Sequence, residues 1–155
     1  RLRVARAKEI VRRRSNWAMA GGIIPIPVFD LITVAGIQLA MVRELSIYYH
    51  VPFHRNLVKS FVMTLLGSVV PFVAGAGLAG SIAKAVPFLS WSVGLATVSV
   101  VAGATTHATG SAFIQHFESG GTLLNFDPIA TREYFRREFE EARRRAGRGS
   151  SAGSV

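Results

Sequence analysis

The sequence predicts an all-α membrane protein: a transmembrane helical hairpin plus a proline-broken re-entrant or interfacial helix, flanked by basic amphipathic helices. Residues 60–83 and 85–117 contain no Asp, Glu, Lys or Arg. Each interval exceeds the roughly 20 mostly apolar residues that a helix needs to cross a hydrocarbon core. Pro87 stands where the apolar run can turn back, so we expect a membrane domain over residues 21–117.

The charge is concentrated at the two ends of the chain. Of the 155 residues, 18 are Lys or Arg and 9 are Asp or Glu, which gives a net charge of +9. Basic ends beside apolar segments mark the cytoplasmic side and attract anionic lipid headgroups. We therefore expect both termini in the cytoplasm, with an even number of spans between them. The expected membrane-surface residues are Arg12, Arg13, Arg14, Arg143, Arg144 and Arg145.

Residues 1–20 are predicted to form a basic helix. Glu9 and Arg13 are spaced for an i,i+4 ion pair, and Trp17 follows the arginines at a position that suits the headgroup boundary. The alternative is a solvated helix on a soluble protein. The apolar residues at helical spacing are Val4, Ala7, Val11 and Ala18.

Residues 21–29 are not expected to form a regular helix, because Pro25 and Pro27 each remove a donor and disfavour the helical conformation of the preceding residue. Asp30 follows at the start of an apolar segment, where it would cap the next helix. A buried functional carboxylate is the alternative. The apolar part of residues 31–49 is short for a span, so we expect a re-entrant or interfacial element covered by other protein.

The arms of the hairpin are expected at residues 57–86 and 87–117. In lipid, small residues let helix backbones approach closely, and this packing favours an oligomer. Before the first arm, His50 and His54 flank Pro52 and are expected to be exposed loop residues rather than metal ligands. The expected helix-packing glycines are Gly75, Gly77, Gly80, Gly103 and Gly110.

The C-terminal part is predicted to be an exit loop followed by a charged helix. The loop covers residues 118–126, and Asp127 with Pro128 would begin a helix over residues 127–146. Residues 147–155 are rich in Gly and Ser and are expected to be disordered. Pairs four residues apart are expected on the solvent face: Glu133–Arg137, Glu140–Arg144 and Glu141–Arg145.

The sequence carries no recognisable catalytic apparatus. Residues 75–80 match the GxGxxG spacing of dinucleotide-binding loops, but no acidic residue follows about 20 positions later, so helix packing explains these glycines better. There is no phosphate loop, no nucleophile elbow and no cysteine. His107 could line a polar seam with its neighbouring threonines and Asp30, although a structural histidine is the commoner case. We expect a protein that is not an enzyme and needs no cofactor or metal.

Two stretches resemble the YcjF-like domain-of-unknown-function family. The first runs from Ile24 through Pro25, Pro27 and Asp30 to Gln38, Met41 and Tyr48; the second covers residues 101–113 and ends near Phe117. Together they span about residues 5–120. The resemblance implies a bacterial inner-membrane protein, often associated with Era-like GTPases, without implying a reaction. The matching motif residues are Pro25, Pro27, Asp30, Gln38, Thr106 and Gly110.

The favoured function is a non-enzymatic integral membrane module that anchors or assembles a larger inner-membrane complex, with a GTPase as a candidate partner. The alternative is a pore or transporter element with a polar path near Asp30 and His107. A third reading, a nucleic-acid binder, has only the charge in its favour, because few aromatic residues interleave with the arginines. Lipid headgroups and other membrane-complex subunits are the expected partners, and nucleic acid is not.

Overall fold

The computed structural model describes residues 2–21, 27–69, 71 and 87–152. All regular secondary structure in these residues is helical, which confirms the predicted all-α class. The helices are α1 (Leu2–Gly21), α2 (Pro27–Tyr48), α3 (Arg55–Gly67), α4 (Pro87–Glu118) and α5 (Arg132–Ala152).

The C-terminal half of α4 is the centre of the described bundle. Helices α1, α2 and α5 all pack against it. The buried alanines come first along this half, and the phenylalanines fill the core near the helix end. Its buried apolar residues are Ala102, Ala104, Ala108, Ala112, Phe113, Ile114 and Phe117.

Helix α1 lies antiparallel to α4. Its apolar stripe faces the bundle, with Ala7, Val11 and Ala18 buried as helical spacing predicts. Near the other end of the contact, the hydroxyl of Ser99 donates to the backbone carbonyl of Met19 at 2.9 Å. The basic helix is therefore packed along one side on protein, and only its opposite side is free for lipid or a partner.

Helix α2 lies parallel to α4 and begins earlier than expected. Its first residue is Pro27, a position that needs no backbone donor. Asp30 therefore stands within the first turn, and the expectation that it caps a helix starting after it is wrong; its side chain lies outside the described residues. Pro25 also lies outside them, as does the rest of the segment 22–26.

Aromatic rings close the bundle where α4 meets the loop to α5. Phe126 stacks on Phe113 with ring centroids 4.5 Å apart, and Phe61 of α3 lies 5.0 Å from the Phe126 ring. From α5, Phe135 and Phe139 enter the same core. The amphipathic spacing of α5 thus buries the face that the sequence assigns to its phenylalanines.

The start and end of α5 differ from the predicted bounds. The carboxylate of Asp127 accepts from the backbone N–H groups of Ile129 and Ala130 at 2.8 and 3.1 Å, so it caps a turn rather than the helix, which begins at Arg132. The exit loop is correspondingly longer than residues 118–126. The helix continues to Ala152, which corrects the disorder expected for residues 147–152; residues 153–155 lie outside the described part. Two glycines cost only about 1 kcal/mol each in a helix.

The described helices are too short or not apolar enough to cross a membrane. In the predicted first arm, 57–86, the described helix α3 ends at Gly67, and residues 72–86 lie outside the described part. Helix α4 begins at Pro87, as expected for the second arm. From Val101 to Phe117, however, protein helices rather than lipid cover most of its surface.

Candidate functional site

Gln38 lies at the centre of a buried polar cluster between α2 and α4, and we call Gln38, Thr105, Thr106 and Thr109 the Gln38 cluster. The Gln38 side chain has no solvent exposure. Its Nε2 donates to Oγ1 of Thr106 at 3.4 Å and of Thr105 at 3.5 Å. Its Oε1 accepts from Thr109 at 3.2 Å. The family resemblance singles out Gln38 and Thr106, and the structure brings them together.

The hydroxyl groups of the Gln38 cluster are satisfied inside the protein. Thr106 donates to the carbonyl of Ala102 at 2.8 Å, and Thr105 donates to the carbonyl of Val101 at 2.9 Å. Their lone pairs remain available to accept from the Gln38 amide. Because a buried amide is costly when unpaired, this arrangement favours one register of α2 on α4.

Two glycines bring α4 close to α1. A Cβ atom at Gly110 would overlap the side chain of Val11, at 2.7 Å from Cγ1. A Cβ atom at Gly103 would overlap Met19, at 2.9 Å from Sδ. The described contacts of these glycines are therefore with the basic helix. Gly75, Gly77 and Gly80 lie outside the described residues.

Glu44 joins α2 to the arginines of α1. Its two carboxylate oxygens bind Arg13 and Arg14, the latter at 3.0 Å. Partial burial raises the pKa of Glu44, but the hydrogen bonds and charges of Arg14 and Arg13 outweigh it, so the pKa is lower than usual. Glu9 pairs with Arg12 at 2.7 Å instead of with Arg13. The expected Glu9–Arg13 pair is wrong, because the inter-helix carboxylate takes Arg13.

The remaining membrane-surface arginines lie on α5. Arg144 and Arg145 pair with Glu140 and Glu141 at 3.0 and 2.7 Å, as the four-residue spacing predicts. Arg143 stands over the ring of Phe139, with 6.0 Å from its guanidinium carbon to the ring centroid. Trp17, next to the α1 arginines, is two-thirds exposed. A role for these residues at a membrane surface stays a prediction.

His107 does not join the threonines of the Gln38 cluster. At 100° per residue, Thr106 and Thr109 face α2 while His107 and Ser111 face the space between α1 and α5. The alternative of a polar seam of His107 with these threonines is therefore wrong. Nδ1 of His107 lies 3.9 Å from a carboxylate oxygen of Glu138. Burial is the largest cause lowering the pKa of His107, and Arg145 and Lys8 lower it further, against the opposite effect of Glu138.

Two long-range contacts of this site are not indicated by the sequence alone. Glu44 was visible only as an acidic residue in a largely apolar helix, and its partners are 30 and 31 residues away. The hydroxyl of Tyr49 donates to Glu118 at 2.6 Å, and burial followed by this hydrogen bond raises the pKa of Tyr49. In both cases the sequence shows only a single acidic residue, Glu44 or Glu118, next to a long apolar stretch.

The described contacts hold the helices together. Within the described ranges no group of three or more His, Cys, Asp or Glu side chains could hold a metal ion. The Gln38 cluster is closed to solvent, so it does not present a polar path across the described bundle. What the geometry does provide is a fixed register between a basic helix, α1, and the apolar helices α2 and α4.

Comparison with known proteins gives the chain a family. The model of DUF697, a domain of unknown function, matches residues 1–144. The chain is also similar to magnetosome membrane protein 22 of Magnetospirillum gryphiswaldense. The two are 38% identical over 137 residues, which cover 88% of this chain and 70% of that protein. No solved structure matches the chain.

Proposed function

The chain belongs to the DUF697 family of domains of unknown function, and we propose that it is a non-enzymatic membrane module that anchors or assembles a larger complex. The observation that carries the proposal is a protein-covered helical bundle in the same chain as a long apolar sequence, residues 68–98, with a single charged residue. Similarity to a protein named for the magnetosome membrane supports a membrane location.

The bundle would give the module its fixed part. Covered on three sides by α1, α2 and α5, the C-terminal half of α4 offers little surface to lipid. The apolar sequence over residues 68–98 contains Lys84 as its only charged residue, so this segment is proposed to enter the bilayer. The Gln38 cluster and the Glu44 ion pairs would then hold the basic helix α1 at a constant position relative to that segment.

The charge pattern extends the proposal to topology. The resemblance to the YcjF-like family implies a bacterial inner membrane, and with basic residues at both ends the positive-inside rule favours both termini in the cytoplasm. Cysteines introduced at Asn16, an exposed position of α1, and at Ser150 would test it, because the chain has no cysteine of its own. Both should resist a membrane-impermeant thiol reagent until the membrane is broken. Labelling of either one in intact spheroplasts would contradict the topology.

The resemblance to the YcjF-like proteins supplies a candidate partner, an Era-like GTPase. Mild detergent extraction from the native host, followed by identification of the co-purifying proteins, tests the assembly role. A recurrent membrane subunit or GTPase that is lost on Glu44→Ala but kept on Glu9→Ala would support it. Recovery of the chain alone, as a monomer, under conditions that keep known complexes intact would overturn it.

A further inference from the structure

Helices α1, α4 and α5 border an open cleft that the proposed membrane role does not use. Its volume is about 630 Å³, within the range of roughly 300–1,000 Å³ that is typical of small-molecule sites. Val11 and Ile114 contribute apolar surface. Charged groups of both signs line the walls, and three residues, one from each helix, matter most: Lys8, His107 and Glu138.

Lys8 is the cation of the cleft that is available to a ligand. It is exposed, and it makes no ion pair among the described residues. The other two cations in the lining are already engaged, since Arg12 pairs with Glu9 and Arg145 with Glu141, each at 2.7 Å. An anionic group entering the cleft would therefore find its counter-charge on the α1 wall.

Glu138 is the carboxylate on the opposite wall, and the hydrogen bond that it accepts from Tyr134 leaves oxygen lone pairs for a second donor. Its side chain is 25% exposed, and the 3.9 Å separation from Nδ1 of His107 is longer than a hydrogen bond. The other carboxylate of the lining, Glu118, accepts the hydroxyl of Tyr49 at 2.6 Å. An ammonium group could thus donate to Glu138 without displacing an ion pair with Lys or Arg in the described part of the chain.

His107 lies between these walls with an unused ring nitrogen. Nδ1 is buried and has no hydrogen-bond partner in the described structure. The charges of Lys8 and Glu138 act on its pKa in opposite directions, with burial as the largest influence, so both walls lie close to the imidazole. Buried polar atoms are usually paired, which makes an unpaired one beside a cleft a sign of a missing partner.

We propose that this cleft binds a small zwitterion that carries an ammonium group and a phosphate or carboxylate group. The ammonium donates to Glu138, the anionic group pairs with Lys8, and Nδ1 of His107 hydrogen-bonds the ligand between them. The ligand is a free metabolite or the headgroup of an amino-phospholipid. These sources share the chemistry and differ in whether a bilayer is needed.

The test is a calorimetric titration of the full chain in detergent with O-phosphoethanolamine. Inorganic phosphate and ethanolamine are titrated separately, because the proposal requires both charges on one molecule. We expect saturable binding that is at least about tenfold tighter than for either fragment. Lys8→Met and Glu138→Gln should each weaken it about tenfold, whereas Arg43→Met, an exposed cation on α2 outside the cleft, should leave it unchanged.

Vesicles with and without phosphatidylethanolamine form the second arm. Binding of the free zwitterion assigns a soluble ligand, and a Lys8-dependent preference for the phosphatidylethanolamine vesicles alone assigns the headgroup. Equal binding of phosphate and O-phosphoethanolamine, equal loss in Arg43→Met, or no dependence on Lys8 in either arm would overturn the proposal. The Lys8→Met variant should still be found in membranes. A loss of ligand binding in that variant then concerns the cleft and not the proposed membrane function.

Discussion

Gln38 of α2 and Thr109 of α4 share a hydrogen bond of 3.2 Å at a position where neither side chain is exposed to solvent. The same glutamine reaches Thr106 on its other side at 3.4 Å. A polar contact in such a place adds direction to an otherwise apolar contact between helices. Substitutions of Gln38 and Thr109 therefore test how much this contact contributes to the stability of the bundle.

Replacing Gln38 should destabilise the bundle strongly. Gln38→Ala removes a buried side chain and the acceptor of Thr109, and we expect it to lower the free energy of unfolding by about 2–4 kcal/mol. Thr109→Val, which removes only the hydroxyl, should cost about 1 kcal/mol. Chemical unfolding in detergent measures both. Thr33→Val, at an exposed site on α2, is the control and should stay within about 0.5 kcal/mol.

The glycines of α4 should differ in their tolerance of alanine. Gly110→Ala meets Val11, whose branched side chain has little freedom to move, so we expect a loss of about 1–3 kcal/mol. Gly103→Ala meets the flexible Met19 and should cost less. Gly36→Ala has open space and should be neutral or stabilising by up to about 1 kcal/mol. Equal thermal shifts for all three variants would contradict the close contact of α1 with α4.

The Glu44 ion pairs should make the attachment of α1 to α2 sensitive to salt. With the paired arginine side chains 55% and 31% exposed, Glu44→Gln should cost no more than about 1 kcal/mol at low ionic strength. The difference from wild type should shrink in roughly 1 M salt, where exposed charges are screened. Hydrogen exchange of the α1 amides reports the effect. Glu9→Gln, which breaks only the Glu9–Arg12 pair within α1, should leave that exchange unchanged.

Acidification should destabilise the bundle through His107, which lies outside the segment proposed to enter the membrane. Burial first, then Arg145 and Lys8, lower its pKa below the ordinary 6.5. The unfolded chain therefore binds the proton more readily, and stability is fully present above pH 6.5 and is lost as the pH falls through the lower folded pKa. Unfolding measured from about pH 7.5 to about pH 5 gives the slope. His107→Gln should flatten it, and an unchanged slope would refute the assignment.

A second loss should follow at lower pH through Glu44. Its pKa is below the ordinary 4.5, since the hydrogen bonds of Arg14 and Arg13 outweigh the opposing effect of burial. A carboxylate with a lowered folded pKa contributes stability above its unfolded pKa, and this contribution disappears as the pH falls through the folded value. Glu44→Gln should therefore reduce the pH dependence below 4.5 and leave the His107 region intact.

Local patterns in the sequence predict where the helices lie better than they predict which helices pack against each other. Helical spacing identifies three of the four predicted residues of the α1 stripe as buried, whereas Val4 is only partly buried. The family motif contains Gln38 and Thr106, which the structure places 3.4 Å apart. The stripe does not encode which helix covers it, however, so the contact of Gly110 with Val11 could not be foreseen. Periodicity fixes which residues share a face, whereas the partner of that face depends on the global arrangement.

The errors have similar physical causes. Glu9 and Arg13 have the correct spacing for a pair, but Glu44 competes for Arg13 from 31 residues away, beyond the reach of local rules. Asp127 and Pro128 satisfy the requirements for beginning a helix and also those of a capped turn. In each case one residue type fits two structures, and tertiary contacts decide between them.

We propose that the apolar sequence between Ser68 and Val98 holds this chain in a membrane. Alkaline carbonate extraction of membranes from cells that produce the full chain tests it most directly, because carbonate releases proteins bound only by charge. The chain should stay in the pellet, and Leu78→Arg, but not the exposed Thr33→Arg, should shift it toward the supernatant. Complete release of the wild-type chain as a monodisperse, folded protein would show that this apolar sequence does not hold it in the membrane.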